Sequence, residues 1–144
     1  MMKRIFADAC YWIALLNSND RLHEKAKQVS QGLGHCKIVT SEMVLVELLN
    51  GLCHYGDKMR AVASSTVMRL ESDPNIEIVP QTSLQFQSAV ENYASRLDKE
   101  WGVTDCASFL LMNEKGISEA LTADHHFKQA QFTILMDIDD SPAK

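Results

Sequence analysis

The chain has 144 residues, of which 46% are apolar, enough for one domain with a substantial core, and this composition argues against disorder. Its formal net charge is -5 and its sequence pI is about 5.5. This acidity argues against a protein that coats nucleic acid without sequence preference, which needs a basic surface. It does not exclude an enzyme that handles nucleic acid at a single site of metal-binding carboxylates. We expect one domain over residues 1–144.

The compartment can be predicted from the N-terminus and the cysteines. Two early positive charges precede an apolar stretch, as in a secretory signal, but Asp8 interrupts that stretch and no cleavage-like segment follows. No apolar run approaches the ~20 residues of a membrane helix. The cysteines form no CxxC pair, which favours small buried thiols in a reducing cytoplasm over disulfides or zinc ligands. These cysteines are Cys10, Cys36, Cys53 and Cys106.

Predicted strands and helices alternate along the chain. In chain order they are the strand RIFA, a helix from CYWIALL, the helix DRLHEKAKQVSQGLG, the strand KIVT, the helices EMVLVELLNGLCHY and KMRAVASSTVMRLES, the strand IEIV, the helices SLQFQSAVENYASRL and DCASFLLMNEK, the strand EALT, the helical turn DHHFKQA and the strand FTILM. The expected helix N-caps are Asp20, Ser41, Asp57 and Thr104. Short β-branched strands separated by helices predict a parallel sheet that is covered on both faces.

Side-chain patterns within two of these helices carry further expectations. Helix EMVLVELLNGLCHY is too apolar for a surface helix. In SLQFQSAVENYASRL, Phe86, Val90 and either Tyr93 or Ala94 fall on one helix face. Trp12 and Trp101 are expected in the core or at an interface.

Four carboxylates can meet at one edge of this sheet. Asp8 closes the first strand, Asp124 follows the strand EALT, Asp105 begins a helix, and Glu47 lies inside an apolar helix. Chemistry in open parallel sheets lies beyond the carboxyl ends of the strands. Taken singly, the aspartates could be turn or capping residues. A glutamate flanked by leucine and valine is harder to explain, because a charge in apolar surroundings needs a partner or a cleft.

Mutual repulsion makes a cation the expected companion of these acids. Two carboxylates about 4 Å apart repel by about 4 kcal/mol at an effective dielectric constant near 20. No lysine or arginine lies nearby in sequence on a helix face that could serve Glu47 or Asp105. Oxygen ligands in a site open to water suit Mg²⁺ or Mn²⁺, with one or two carboxylates bound directly. Such a site performs phosphoryl-ester hydrolysis.

The other polar residues have ordinary interpretations. His125 and His126 are adjacent, so on a helix they diverge by about 100° and do not chelate one ion together. We expect them to be solvated or to support the acids. Asp137, Asp139 and Asp140 are interpreted as a polar terminus. Five cations could contact phosphates, although scattered surface charge is the simpler interpretation, and they are Lys3, Arg4, Lys58, Arg60 and Lys128.

The chain resembles the PIN-domain family and, within it, the VapC-type toxin ribonucleases of bacterial toxin–antitoxin pairs. Four segments carry the resemblance in the family's order: FADACYWIALLN with DRLHEKA behind it, TSEMVLVELLN, WGVTDCASFLLMNEKGI and ALTADHHFKQAQF. The resemblance implies a three-layer α/β/α sandwich with a central parallel sheet. It maps the family's acidic residues onto Asp8, Glu47, Asp105 and Asp124, with Thr104 and Thr122 as hydroxyls beside them. Gln131 departs from the family, which often has glycine there.

The resemblance also implies an activity and partners. These are Mg²⁺- or Mn²⁺-dependent cleavage of RNA, a homodimer, and a cognate antitoxin that covers the site. In this hypothesis Asp8 and Asp105 are the main metal ligands, Asp124 supports the metal or a second ion, and Glu47 orients or deprotonates the attacking water. Two alternatives stay open: a housekeeping RNA-processing nuclease, and a catalytically idle binding module on the same fold. An idle module has no need for all four acids, which this chain has.

Overall fold

A computed structural model describes residues 2–138, and a five-stranded parallel sheet lies at its centre. The strands occur in the order β3-β2-β1-β4-β5, and every neighbouring pair is parallel. Their bounds are β1 Lys3–Ala7, β2 Cys36–Ser41, β3 Ile76–Val79, β4 Glu119–Leu121 and β5 Thr133–Ile134. The predicted parallel sheet is confirmed. Of the acids predicted to form a polar terminus, Asp139 and Asp140 lie outside the described residues.

Seven helices in the described part of the chain flank this sheet. They are α1 Ala9–Leu16, α2 His23–Gly32, α3 Glu42–Leu52, α4 Asp57–Ser72, α5 Ser83–Ser95, α6 Val103–Lys115 and α7 His125–Gln129. Helix α1 packs against α2 and α3, and α3 packs against α4, while α5 to α7 form a second packed group. The chain builds β1, β2 and β3 outward in one direction and then returns to add β4 and β5 on the other side of β1. This arrangement confirms the predicted α/β/α sandwich.

The core is continuous between the sheet and both groups of helices. The end of β1 is fully buried at Phe6 and Ala7, as expected for a central parallel strand. An aromatic cluster fills the side covered by α6 and α7, where the Phe109 ring meets both Phe127 and Trp101 edge-on at centroid distances of 4.9 Å. Trp12 and Trp101 are both buried, so their prediction as core residues is confirmed.

The helix starts confirm one predicted N-cap and correct three. Ser41 caps α3, and its Oγ accepts a hydrogen bond from Val44 N at 3.2 Å. Gly56 caps α4 and Gly102 caps α6, so Asp57 and Thr104 lie inside the first turns of these helices. Asp20 forms a turn ahead of α2, which begins three residues later. The caps Gly56 and Gly102 have no side chain to form a capping hydrogen bond, so neither leaves the polar signature by which caps are predicted.

Two helices are less buried than their sequences predict. In α3, Val46 is 55% exposed although the helix was expected to be internal. In α5, the face formed by Phe86, Val90 and Tyr93 lies at the surface, and Ala89 is the buried residue. The apolar periodicity therefore identified the helix, but it did not identify the side that packs on the sheet.

The prediction of buried, unpaired thiols holds fully for one of the four cysteines. Cys106 is buried, whereas Cys10, Cys36 and Cys53 are partly exposed, and all four are free thiols. Among residues 2–138, no helix combines the length and the apolar character needed to cross a membrane.

Candidate active site

The site lies where the strand order reverses. Strands β1 and β4 are neighbours in the sheet but distant in sequence, so the helices that follow them leave in different directions and open a crevice at their carboxyl ends. Asp8 follows β1 directly, and its backbone N–H donates to the carbonyl of Leu121 at the end of β4. Asp124 comes three residues after Leu121 and caps α7. The topology alone therefore brings these two aspartates to the same crevice.

Helices α3 and α6 supply the other two acids. Glu47 lies in the middle of α3, and Asp105 lies in the first turn of α6, where its Oδ2 accepts a hydrogen bond from Gly102 N at 3.1 Å. A cleft of about 530 Å³ is lined by Asp8, Glu47, Asp105 and Asp124 together. The structure thus brings together all four acids that the sequence singled out.

Asp8 is the most buried of the four, with 7% of its surface exposed. Thr122 Oγ1 donates to its Oδ2 at 3.0 Å, and the same hydroxyl accepts from Asp124 N at 3.1 Å. The pKa of Asp8 is raised from 3.8 to about 7, mainly by burial; hydrogen bonds from Ala9 and Thr122 lower it in part, and the negative charges of Glu47 and Asp105 add to the rise. An ionised Asp8 therefore needs a positive partner.

Glu47 and Asp105 are affected in the same direction. Burial raises the pKa of both, a hydrogen bond from Thr104 lowers that of Glu47, and the charge of Asp124 raises both. The ion pairs found among residues 2–138 give none of the four acids a lysine or arginine partner. The cleft is consequently a concentration of negative charge without a fixed cation from the described part of the chain.

His126 contacts two of the acids, so of the two roles expected for the histidines it has that of supporting the acids. Its Nδ1 lies 3.0 Å from Asp105 Oδ2 and 3.4 Å from Asp124 Oδ1, and the ring lines the cleft. His125 points elsewhere, with Nε2 3.8 Å from Asp137 Oδ1, so the predicted divergence of the two rings is confirmed. The only sequence signal for this role is the position of His126. Asp124 is the N-cap of α7, and the second residue of the turn that it caps lies close to it.

Cys10 also lines the cleft and was expected only as a small buried residue. Its Sγ lies 3.1 Å from Thr122 Oγ1 and accepts a hydrogen bond from Ala123 N. Burial raises the pKa of this thiol to about 11, so it stays protonated and does not act as a nucleophile at neutral pH. Its contacts hold the β4 end against the start of α1.

The donor set fits a hard divalent cation. One ligand atom each from Asp105, Asp124 and His126 lie within 4.8 Å of one another, and two of these three are carboxylates. Carboxylate oxygens are the preferred ligands of Mg²⁺ and Mn²⁺, and a bound cation would offset the repulsion that raises the pKa values of the acids. Asp8 lines the same cleft but is not part of this three-residue group.

The fold and the cleft define an α/β protein with an acidic site of the kind that holds metal ions at the switch point of a parallel sheet. The sequence pattern described as the PIN domain matches residues 5–133. The chain belongs to the PIN-domain family.

Individual relatives agree with this assignment. The 23S rRNA-specific endonuclease VapC20 of Mycobacterium tuberculosis is 32% identical over 131 residues, which are 89% of this chain and 95% of that protein. The crystal structure of VapC20, described as a Sarcin-Ricin loop cleaving toxin, superposes with a TM-score of 0.80 at 27% identity and covers 90% of this chain and 96% of that chain.

Two more distant structures share the fold. FitAcB from Neisseria gonorrhoeae has a TM-score of 0.64 at 19% identity and covers 90% of this chain and 95% of that chain. VapBC2 from Rickettsia felis, bound to a DNA fragment from its promoter, has a TM-score of 0.59 at 14% identity, with coverage of 91% and 96%. At these identities the likeness concerns the fold.

Proposed function

We propose that this chain is a metal-dependent endoribonuclease and the toxin component of a type II toxin–antitoxin pair that acts in the cytoplasm. The observation that carries the proposal is the cleft in which four acids from four separate segments meet without a lysine or arginine partner among residues 2–138. The name of VapC20, a 23S rRNA-specific endonuclease, supports RNA as the substrate. Ribosomal RNA is accordingly the first substrate to test.

Asp8 and Asp105 are the proposed main metal ligands, with Asp124 supporting the same ion or a second one. All three line the cleft, and Thr122 orients Asp8 through its hydroxyl. We assign Mg²⁺ or Mn²⁺ because the donor set is dominated by carboxylate oxygens. When bound, such an ion activates water and stabilises the charge that develops during phosphodiester hydrolysis.

Glu47 is the proposed base for the attacking water. It lines the cleft and is exposed enough for a water molecule to reach its carboxylate. Burial raises its pKa above the ordinary value of 4.5, toward the range in which a carboxylate accepts a proton efficiently near neutral pH. His126 acts as a positioning residue, since its Nδ1 contact restrains the Asp105 carboxylate.

The proposal includes three partners: an RNA substrate, a cognate antitoxin and a second copy of the chain. The structural neighbour from Rickettsia felis is a VapBC2 complex, which supports an antitoxin partner. Exposed apolar side chains on α3 and α5 offer surface for such contacts, among them Val46 and Tyr93.

A cleavage assay tests the enzymatic part of the proposal. The wild type is incubated with a 23S rRNA fragment in Mg²⁺, in Mn²⁺ and in EDTA, beside the variants Asp8→Asn and Asp98→Asn. We expect cleavage in either metal, none in EDTA, and none by Asp8→Asn, while Asp98→Asn, which alters an exposed acid paired with Arg96, cleaves like the wild type. Cleavage by Asp8→Asn at the parental rate in Mg²⁺ would refute the assignment.

An expression experiment tests the toxin role. Induction of the wild type in a bacterial host should arrest growth, induction of Asp8→Asn should not, and co-expression of the small protein encoded beside the gene should relieve the arrest. Strong induction of a cleavage-competent protein without arrest would favour the housekeeping nuclease. Calorimetry that detects no Mn²⁺ binding at millimolar metal would favour the idle binding module.

A further inference from the structure

A second groove adjoins the acidic cleft along helices α3 and α4. It encloses about 390 Å³, and its polar lining residues are Asn50, Arg60 and Ser64. Asn50 lines both this groove and the acidic cleft. It lies one helical turn after Glu47 on the same face of α3, so the two cavities adjoin at this residue. We call this second cavity the α3–α4 groove.

Arg60 differs from the other cations considered for phosphate contacts. Three of those cations already have polar partners elsewhere: Lys3 with Glu119, Arg4 with the Lys115 carbonyl, and Lys128 with Asp137. Lys58 is exposed and lines neither cavity. Within residues 2–138, the Arg60 guanidinium forms no hydrogen bond or ion pair, although it lines a cavity. Its donors are therefore available to a ligand.

We propose that the α3–α4 groove binds the sugar–phosphate backbone of the RNA next to the cleaved bond, with Arg60 contacting a phosphate. This inference rests on the proposed ribonuclease function and adds the direction in which the strand leaves the cleft. A polyanion that enters a cleft of four carboxylates is repelled wherever no cation faces it, so binding needs positive charge at the edge of the site. Guanidinium binds phosphate through two parallel N–H donors, which also fixes the register of the strand.

Asn50 has the complementary role between the two cavities. Its amide forms no side-chain hydrogen bond within the described residues, and it carries no charge that would add to the repulsion. An amide offers donors to phosphate or sugar oxygens, which are the commonest partners in nucleic-acid complexes. Tyr55, in the connection between α3 and α4, is 61% exposed and carries a ring of the kind on which bases stack.

Steady-state kinetics on the RNA that the wild type cleaves tests this groove. Arg60→Gln removes the charge and the paired donors, and Lys58→Gln is the matched control, with the same change in charge two residues away on the same helix. We expect Arg60→Gln to raise KM at least fivefold with kcat changed less than twofold. The slope of log(kcat/KM) against the logarithm of the salt concentration should become shallower by about 0.7, which is the value for one lost phosphate contact on a single strand. Arg60→Lys should restore the salt dependence of the wild type, but its KM should return only part of the way to the wild-type value.

The outcomes separate this inference from the function on which it rests. If the wild type cleaves RNA and Arg60→Gln has the KM and salt dependence of Lys58→Gln, the groove does not bind the substrate and the inference is wrong. Loss of kcat by Arg60→Gln together with a lower thermal midpoint would show a structural role and would also contradict it. If the wild type cleaves no RNA in Mg²⁺ or Mn²⁺, the proposed function itself is wrong and the groove proposal with it.

Discussion

Replacing Asp8 with asparagine should inactivate the enzyme and also make the metal-free protein more stable at alkaline pH. Asp8 is 7% exposed, and burial raises its pKa from 3.8 to about 7. An acid with a raised pKa binds its proton more tightly in the folded state than in the unfolded state. Its contribution to the free energy of unfolding is therefore complete below about pH 4 and is lost as the pH rises to about 7. Because a tenfold change in proton affinity is worth about 1.4 kcal/mol, the complete loss is about 4 kcal/mol.

The magnitude can be measured as a difference between two pH values. More than half of this loss, about 3 kcal/mol, falls between pH 5 and pH 8, above which the contribution stays constant. Asparagine keeps a carbonyl oxygen that accepts the Thr122 hydrogen bond and carries no charge at either pH. The stability of Asp8→Asn relative to the wild type should therefore increase by about 3 kcal/mol from pH 5 to pH 8. Urea denaturation in EDTA, followed by circular dichroism, gives both free energies of unfolding.

Two controls make the result decisive. Asp98→Asn removes an exposed acid whose hydrogen bond to Arg96 lowers its pKa to about 2, so it should gain no stability at pH 8. Addition of Mg²⁺ at pH 8 should raise the stability of the wild type more than that of Asp8→Asn, because only the wild type retains the full ligand set. If the stability of Asp8→Asn relative to the wild type changes by less than 1 kcal/mol between pH 5 and pH 8, the inference that ionised Asp8 destabilises the metal-free protein is refuted.

Two further predictions concern α7 and the turn after it. His126→Ala should lower kcat/KM at least tenfold, because the restraint on Asp105 is lost, whereas His125→Ala should stay within twofold in the same cleavage assay. Gln131 has φ 77, a left-handed conformation that costs a residue with a side chain about 1–2 kcal/mol. Glycine avoids this cost but loses more backbone entropy on folding, so Gln131→Gly should stabilise the protein by about 0.5–1 kcal/mol. Urea denaturation measures this difference. Gly116→Ala, at φ 68, should have the opposite sign, and equal effects would contradict the explanation.

The sequence predicted most of the fold because its strongest signals are local. Strand β3 at Ile76–Val79 has the predicted bounds and helix α4 ends at Ser72 as predicted, since Pro74 and Pro80 mark the ends of the apolar patterns around them. The positive φ of Gln131 agrees with the position where the family often has glycine. Caps were less predictable. Gly102 caps α6 in place of Thr104, and a glycine cap leaves no side-chain signature in the sequence.

The cleft was predictable for a different reason. Asp8 and Asp124 are placed by strand ends, and a parallel sheet brings the ends of neighbouring strands together whatever the loops do. His126 and Cys10 could not be assigned in the same way, because their contacts depend on side-chain distances across the fold, 3.0 Å from His126 Nδ1 to Asp105 and 3.1 Å from Cys10 Sγ to Thr122. Residue type and spacing predict which backbone segments meet, but they do not predict which short contacts then form.

The burial of Asp8 explains why the site needs the neutral residues that support this carboxylate. Asp8 is destabilising when ionised and metal-free, yet it must stay fixed for a ligand to bind without further reorganisation. Thr122 meets this need with one hydroxyl that donates to Asp8 and accepts from the backbone of Asp124, while Cys10 contacts the same hydroxyl and stays neutral. An additional charged residue in that position would either neutralise Asp8 or repel it. Neutral hydrogen-bonding groups hold the carboxylate in place and leave its charge available, which is the property that a divalent cation requires.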